Sequence, residues 1–259
     1  MSARVSRIWR HPIKAHGREE LETTMTRPGE CLPGDRAWAV AHERAAADGR
    51  EWAHCGNFSR AAKLPALQAI RARLNEAAGE NGQEDGEAVQ ITLTHPDLPS
   101  LTFRPGEEDD AFVDWANRLV PDGHLRSARL VRAQGPALTD TPFPSVSLLN
   151  RASNAAVAQR LGRDVSPERW RGNILLDGLA PWQEFEWIGR RVKIGEAVLT
   201  VRERIGRCQA TSVDVTTGRR DTDMLDVLRA GWGHTDFGVY AVVEKGGRIA
   251  RGDTAEVLP

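Results

Sequence analysis

Short strand-like runs separated by turns dominate this sequence and leave room for few helices. The runs 3–9 (ARVSRIW) and 36–43 (RAWAVAHE) alternate in polarity or carry β-branched and aromatic residues, and the turn Pro33-Gly34-Asp35 precedes the second. Similar runs follow at 88–95, 145–150, 173–178, 190–195, 197–204, 237–245 and 253–258. Many short strands with few helices indicate a closed or sandwiched β architecture rather than alternating β and α units.

Three stretches have the character of helices, and they cover residues 109–120, 153–162 and 222–230. In the first, Phe112, Trp115 and Leu119 recur every three or four residues and so share one helical face. Asp109 and Asp110 favour the start of that helix because carboxylates are stabilised by the positive end of the helix dipole.

Local signals predict where other segments begin and end. Ser153 is predicted to be the N-cap of the second helix, and Gly162 its C-terminal stop. Ser166-Pro167 is predicted to start a short helical turn, because proline suits the first helical position. The polar stretch 75–87 is predicted to be an exposed loop.

A break at Pro121-Asp122-Gly123 divides the chain into two predicted domains, 1–122 and 123–259. A chain of 259 residues is long enough for one large domain or two smaller ones, each with a proper core.

The charge balance argues against several classes of protein. Lys and Arg number 35 against 36 Asp and Glu, which does not suit a dedicated nucleic-acid-binding protein or a polybasic membrane protein. The N-terminus lacks an apolar signal region, and no stretch reaches the ~20 apolar residues of a membrane span. We therefore expect a soluble cytoplasmic protein that binds neither nucleic acid nor a membrane.

The cysteines are too few and too scattered for a disulfide framework or a structural zinc site. Cys31 is predicted to be a core residue beside a turn. Cys55 has His54 next to it, but neighbours in a strand face opposite sides, so a Cys/His nucleophile is a weak hypothesis there.

Cys208 has a more informative context than the other two cysteines. Arg207 precedes it, and cationic neighbours favour the thiolate, the form that attacks or binds metal. Thr211, Ser212 and Asp214 supply hydroxyl and carboxylate groups just downstream. The residues alone leave three roles open for Cys208: a nucleophile, a soft metal ligand or a small buried side chain.

Three basic residues stand in unusual local settings. Lys14 ends an apolar run, Arg36 follows a tight turn, and Arg171 lies between a tryptophan and a glycine. A phosphate-bearing ligand needs two or three such groups, and a solvated surface position is the ordinary alternative for each.

Five segments in order resemble MOSC-domain proteins, named for the C-terminal domain of molybdenum cofactor sulfurase. The chain is most similar to the group with an extra N-terminal β-barrel domain, to which the mitochondrial amidoxime-reducing component belongs. The matching segments are HPIKA (11–15), CLPGDRAWAV (31–40), ERWRGNILLDG (168–178), GRCQATSVDVTTG (206–218) and FGVYAVVEKGGRIARGD (237–253). The resemblance covers nearly the whole chain.

The resemblance implies a mainly β fold, with a β-barrel MOSC core, a few short helices and an N-terminal domain that is a β-barrel or α+β. It also implies that Cys208 binds the molybdenum of a pterin cofactor, which agrees with the affinity of a soft thiolate for such metals. The implied cofactor-binding residues are Lys14, Arg36, Arg171, Asn173, Arg207 and Ser212, and the implied catalytic residues are Cys208, Thr211 and Asp214.

Three positions depart from the family pattern. Ala15 stands where relatives have serine, which removes a phosphate-binding hydroxyl, and His16 is the candidate to replace it. Gly172 and Val215 stand where relatives have proline. Substrate choice is expected to depend on the loops 44–60 and 216–235.

The resemblance implies an oxidoreductase containing the molybdenum–molybdopterin cofactor and independent of pyridoxal phosphate. It would reduce small N-hydroxylated compounds, or related N- or S-oxides, with electrons from a separate donor protein. The alternatives are a sulfur carrier that uses a persulfide on Cys208, and a carrier of the cofactor itself.

Overall fold

The computed structural model describes residues 3–75, 89–135 and 137–259, and in these ranges strands far outnumber helices. The strands are β1 (Ala3–Arg10), β2 (Glu19–Leu21), β3 (Thr23–Thr26), β4 (Trp38–His42), β5 (Arg71–Asn75), β6 (Gln90–His95), β7 (Leu98–Phe103), β8 (Ser127–Arg132), β9 (Val146–Asn150), β10 (Ile174–Asp177), β11 (Arg191–Ile194), β12 (Ala197–Gly206), β13 (Asp236–Lys245), β14 (Gly247–Ala250) and β15 (Thr254–Val257). The α-helices are α1 (Asp109–Asn117), α2 (Arg151–Leu161) and α3 (Met224–Trp232).

Seven strands close into a barrel in the order β10-β9-β13-β12-β11-β15-β1, and β1 pairs with β10 to complete the ring. The pairing of β9 with β10 is parallel, because α2 connects these strands as a crossover. Inward-facing aliphatic side chains such as Leu148, Leu199 and Val239 fill the barrel. The predicted mainly β fold with a barrel core is confirmed.

A second core lies in the N-terminal part of the chain. Strands β5, β6 and β7 form an antiparallel sheet, and α1 packs on it through its predicted apolar face. The rings of Phe103 and Phe112 stack with their centroids 5.0 Å apart. Strands β4 and β8 form a separate antiparallel pair, as do β3 and β14.

The two parts of the chain share strands and buried contacts. Strand β1, from the N-terminus, closes the barrel built by the C-terminal half, and β8, beyond residue 122, pairs with β4. The buried Arg18 guanidinium bonds to Glu168 (Nε to Oε2, 2.6 Å) and to the carbonyl of Gln68 (2.7 Å), which fastens both parts at their junction. The domain division at residue 122 stays a prediction.

The start of α2 differs from the prediction. Asn150, not Ser153, is its N-cap, and the Asn150 side chain accepts a hydrogen bond from the N–H of Ala152 (2.8 Å). Ser153 is buried inside the helix and donates to Glu184 (3.0 Å). Gly162 ends the helix in a left-handed conformation (φ 66°), as predicted.

Other predicted elements had mixed outcomes. The short helical turn after Ser166 is confirmed as a 3₁₀ turn over Pro167–Trp170. Strand β14 was not predicted, because its glycine start is typical of a turn. The loop predicted over 75–87 begins at the last residue of β5 and otherwise lies outside the described residues. In the part of the chain that the structure describes, no helix is long and apolar enough to cross a bilayer.

Candidate functional site

A cavity of about 300 Å³ lies where the two parts of the chain meet. Lys14, after β1, and Arg36, before β4, line it from the N-terminal part. Arg171, at the end of the 3₁₀ turn Pro167–Trp170, and the pair Arg207-Cys208, directly after β12, line it from the C-terminal part. The structure therefore brings together five predicted site residues that are far apart in sequence.

The backbone is strained at this cavity. Among the described non-glycine residues, φ is positive at Ala15 (63°), Arg36 (52°), Arg171 (51°) and Trp182 (65°). The first three of these line the cavity. Left-handed conformations cost free energy for L-residues and cluster at sites where function requires a particular geometry. The strain favours the cavity as a candidate functional site independently of any motif.

Two of the cations are paired with carboxylates. The Lys14 ammonium contacts Asp140 Oδ1 at 2.5 Å and the carbonyl of Leu138 at 2.9 Å. Arg36 forms an ion pair with the buried carboxylate of Asp35, and its Nη2 donates to the Arg171 carbonyl (2.9 Å). These contacts hold both side chains in place with donor hydrogens still available.

The two other predicted cations, Arg171 and Arg207, have no carboxylate partner within 4.0 Å among the described residues. Arg171 donates to Gln68 Oε1 (3.3 Å) and to the carbonyl of Gly17 (3.4 Å). Arg207 donates to the carbonyls of Trp170 (2.7 Å) and Phe237 (2.9 Å). Such an arrangement is short of negative charge and is suited to receive an anion.

Burial lowers the pKa of both guanidinium groups. Loss of solvation, followed by repulsion from Arg36 and Arg18, lowers the pKa of Arg171 to about 9. Loss of solvation lowers the pKa of Arg207 to about 10. A bound phosphate would oppose both shifts, because a nearby negative charge favours the protonated guanidinium.

Cys208 is exposed on the wall of this cavity, which excludes the role of a small buried core residue. It precedes the 3₁₀ turn Gln209–Ser212, and its carbonyl accepts hydrogen bonds from the N–H (3.1 Å) and hydroxyl (2.9 Å) of Thr211. These bonds fix the backbone while the thiol remains accessible, as both a nucleophile and a metal ligand require.

Two family models match almost the whole chain. The MOSC N-terminal beta barrel domain model matches residues 2–120, and the MOSC domain model matches residues 138–256. The chain belongs to the MOSC family.

Curated relatives of this MOSC protein are named molybdenum cofactor sulfurase. The protein of that name from Anopheles gambiae is 27% identical over 180 residues, which are 62% of this chain and 23% of the relative. The one from Drosophila grimshawi is 30% identical over 140 residues, which are 51% of this chain and 18% of the relative. The chain thus spans about a fifth of the length of these relatives.

Among solved structures, the YUAD protein from Bacillus subtilis is 13% identical with a TM-score of 0.45. The match covers 99% of this chain and 96% of that protein.

The remaining predicted residues occupy different places around the MOSC cavity. Thr211 lines it. Asn173 is buried beneath it, and its amide bonds to Ser147 (2.8 Å) and to the Trp9 carbonyl (3.2 Å), so it links strands instead of facing the cavity. The Ser212 hydroxyl is buried and accepts from the N–H of Met224 (3.1 Å) at the start of α3.

Asp214 and His16 also lie away from the lining. Asp214 accepts hydrogen bonds from the N–H groups of Thr216 (3.0 Å) and Thr217 (2.8 Å), so its carboxylate stabilises a turn. His16 is fully buried, its Nδ1 contacts the Lys14 carbonyl (2.9 Å) and its ring packs edge-on against Phe112. His16 therefore does not replace the hydroxyl lost at Ala15.

Several lining residues were not predicted from the sequence. They include Arg60, Asp140, Ser147 and Tyr240, together with Cys55, which the sequence marked only weakly. Tyr240 lies in the recognised segment 237–253, so the family motif carried a signal for it. Asp140 and Arg60 lie in loops with no distinctive pattern, and only the folded chain places them at the cavity.

The lining residues fit a phosphate-bearing pterin that brings its own metal. The cations of the lining suit a phosphate, above all the guanidiniums without a carboxylate partner, and the open thiol suits a soft metal. Within the described ranges, no group of three or more His, Cys, Asp or Glu side chains could hold a metal ion by itself. A single cysteine ligand suits a metal that is held mainly by an organic cofactor.

Proposed function

We propose that this MOSC protein binds the molybdenum cofactor in the cavity at the junction and handles sulfur through Cys208. The observation that carries the proposal is the convergence of six cationic side chains with an accessible thiol on one cavity, and three of those cations have no carboxylate within 4.0 Å among the described residues. Lys14, Arg36 and Arg171 would hold the phosphate, and Arg207 would lie beside the metal-bearing end because it adjoins Cys208 in sequence.

The sulfur-handling role is favoured over the alternatives by the relatives named molybdenum cofactor sulfurase. In this role Cys208 carries a sulfane sulfur on its thiol at the cavity wall. The exposed position of the thiol allows a sulfur donor to reach it from solvent. The basic cavity then holds the acceptor beside it, which raises the effective concentration of the reacting groups.

Reduction of N-hydroxylated compounds, or of related N- or S-oxides, is the second candidate. It is favoured by the shared cavity, because a resident cofactor needs both the basic residues and a lasting ligand such as Cys208. When bound, the cofactor would supply oxygen-atom transfer, and a separate protein would supply electrons. The residues Arg60 and Tyr240 would then orient a small substrate.

The test is the molybdenum and pterin content of the protein purified from a host that makes the cofactor. We expect pterin in the parent, reduced pterin in Arg171→Met, and unchanged pterin in Arg190→Met, whose arginine is exposed and outside the lining. Absence of pterin from the parent would overturn the proposal. Stoichiometric metal that Cys208→Ala loses would favour the reductase, whereas a labile persulfide on Cys208 would favour sulfur handling.

A further inference from the structure

A second thiol lies on the same cavity as Cys208. Cys55, in the 3₁₀ turn Cys55–Asn57, lines the cavity and is partly exposed. The third cysteine, Cys31, is buried and is not part of the lining. A cavity of about 300 Å³ has the size of a small-ligand site, so the two cysteines line one ligand-sized space.

The two loops that carry these thiols are fastened to each other. The Arg220 guanidinium donates to the Ala62 carbonyl (2.6 Å) on the Cys55 side and to the Gln209 carbonyl (3.1 Å) next to Cys208. Gln68 adds a bond to the Ala210 carbonyl (3.0 Å). The cysteines are far apart in sequence, yet their loops are held side by side by side chains that span the gap.

The Cys55 sulfur has basic groups beside it. Arg60 Nη1 lies 3.3 Å from Sγ as a hydrogen-bond donor, and His54 Nε2 lies 3.9 Å from Sγ. A guanidinium offers a positive partner to a sulfur that attacks as a thiolate. Arg60 itself lines the cavity and has no carboxylate within 4.0 Å among the described residues, so its charge is available to the sulfur.

We propose that Cys55 is the resolving thiol for a sulfane sulfur carried by Cys208, a role that rests on the sulfur-handling function proposed above. The Cys55 thiolate attacks the Cβ-linked sulfur of the Cys208 persulfide. A disulfide forms between the two cysteines, the bond between the inner and outer sulfurs breaks, and the outer sulfur leaves as hydrosulfide with the electron pair of that bond.

The step supplies its own electrons. The outer sulfur of a persulfide is two electrons more oxidised than hydrosulfide, and the conversion of two cysteine sulfurs to a disulfide provides those two electrons. A carrier with Cys208 alone needs an external thiol to release its sulfur in this form. With Cys55 on the same wall, hydrosulfide is set free inside the basic cavity, and a dithiol reductant later reopens the disulfide.

The test loads the apoprotein with inorganic polysulfide, removes the excess by desalting and measures hydrosulfide release without added reductant. We expect the parent and Cys31→Ser to release close to one equivalent and to yield a peptide pair linked between Cys55 and Cys208 by mass spectrometry. In Cys55→Ser, we expect release to slow at least tenfold and dithiothreitol to restore it. Release from Cys55→Ser at the parental rate would overturn the proposal.

A second measurement tests the geometry without sulfur chemistry. We expect diamide, at low protein concentration, to close the Cys55–Cys208 disulfide in the parent and in Cys31→Ser. Links that are only intermolecular, or that involve Cys31, would contradict the proposal. A protein that contains no cofactor after expression but passes both tests would contradict the proposed cofactor binding. The same result would still support Cys55 as the resolving thiol of Cys208.

Discussion

At the scale of single residues, Arg171 is a partly buried guanidinium that lines the cavity and is repelled by Arg36 and Arg18. We expect Arg171→Met to leave the stability of the free protein within about 1 kcal/mol of the parent, because the lost hydrogen bonds are offset by relief of repulsion from Arg36 and Arg18. We expect the same variant to abolish most of the rise in Tm that inorganic phosphate gives the parent. Thermal unfolding at a series of phosphate concentrations measures both the stability and the rise in Tm. In Arg190→Met, the rise in Tm with phosphate should equal that of the parent.

His16 makes stability depend on pH. Burial lowers its pKa from 6.5 to about 4, so protonation favours the unfolded chain, in which the histidine titrates normally. The stability contribution is full above pH 6.5 and is lost as pH falls towards 4. Between pH 7 and pH 5 we expect His16 alone to account for about 2 kcal/mol of lost unfolding free energy.

Urea unfolding at several pH values checks this expectation. His16→Asn should show a shallower fall than the parent, whatever its stability at pH 7. The exposed His124 is the matched control, and His124→Gln should keep the parental slope. A parental slope in His16→Asn would show that another group causes the pH dependence.

Not every residue of a motif shares its role, and this limits what sequence can predict. Cys208, Thr211, Ser212 and Asp214 lie within seven positions, yet only Cys208 and Thr211 line the cavity. Ser212 accepts from the first N–H of α3, and Asp214 stabilises a turn. Proximity in sequence does not fix the direction of a side chain where the chain turns. Asn173 shows the same limit, because it is buried and bonded to Ser147 whereas Arg171, two residues before it, lines the cavity.

At the scale of elements, an ion pair between a buried arginine and an exposed aspartate joins the turn Pro167–Trp170 to the loop after Cys208. The Arg169 guanidinium makes two bonds of 2.8 Å to Asp221 and one of 3.0 Å to the Thr211 carbonyl. Arg169 is only 2% exposed, so removal of the carboxylate would leave a buried charge unpaired. We expect Asp221→Asn to cost about 3 kcal/mol of unfolding free energy.

The exposed pair Arg151–Asp177 provides the control for that measurement. Its side chains are 61% and 52% exposed, so Asp177→Asn should cost about 0.5 kcal/mol or less. Equal effects of the two substitutions in urea unfolding would contradict the role assigned to Asp221. A larger loss of unfolding free energy in Asp221→Asn than in Asp177→Asn would show that the first ion pair stabilises the cavity wall and that the second contributes little.

Element positions were predicted better than their exact ends. Nine strands were recognisable because alternation and turn residues are local signals, and their bounds shifted by a residue or two. Six others in the described part of the chain were not predicted, namely β2, β3, β5, β7, β8 and β14. The start of α2 could not be chosen locally, because Asn150 and Ser153 are both good capping residues. The choice depends on Glu184, a distant buried carboxylate that bonds to both side chains.

At the scale of the whole molecule, the N-terminal segment contributes both to closure of the barrel and to assembly of the cavity. Strand β1 pairs with β10 and β15, and Lys14 follows directly after it. The N-terminal strand thus completes the barrel and then delivers the first cation to the cavity. Local sequence patterns carry no information about such long-range pairing. The family resemblance implied that Lys14 and Arg36 bind the same cofactor as the C-terminal residues, but it did not indicate that β1 closes the barrel.

The place of β1 in the barrel predicts how the protein behaves when it is divided between residues 122 and 123. Residues 123–259 alone lack β1, so β10 and β15 would become unpaired edges that favour aggregation. We expect this fragment to be insoluble or to unfold without a cooperative transition, and co-expression with residues 1–122 to recover a soluble complex. Circular dichroism and size-exclusion chromatography test this, and a fragment that unfolds cooperatively as a monomer would show that β1 is dispensable for the barrel.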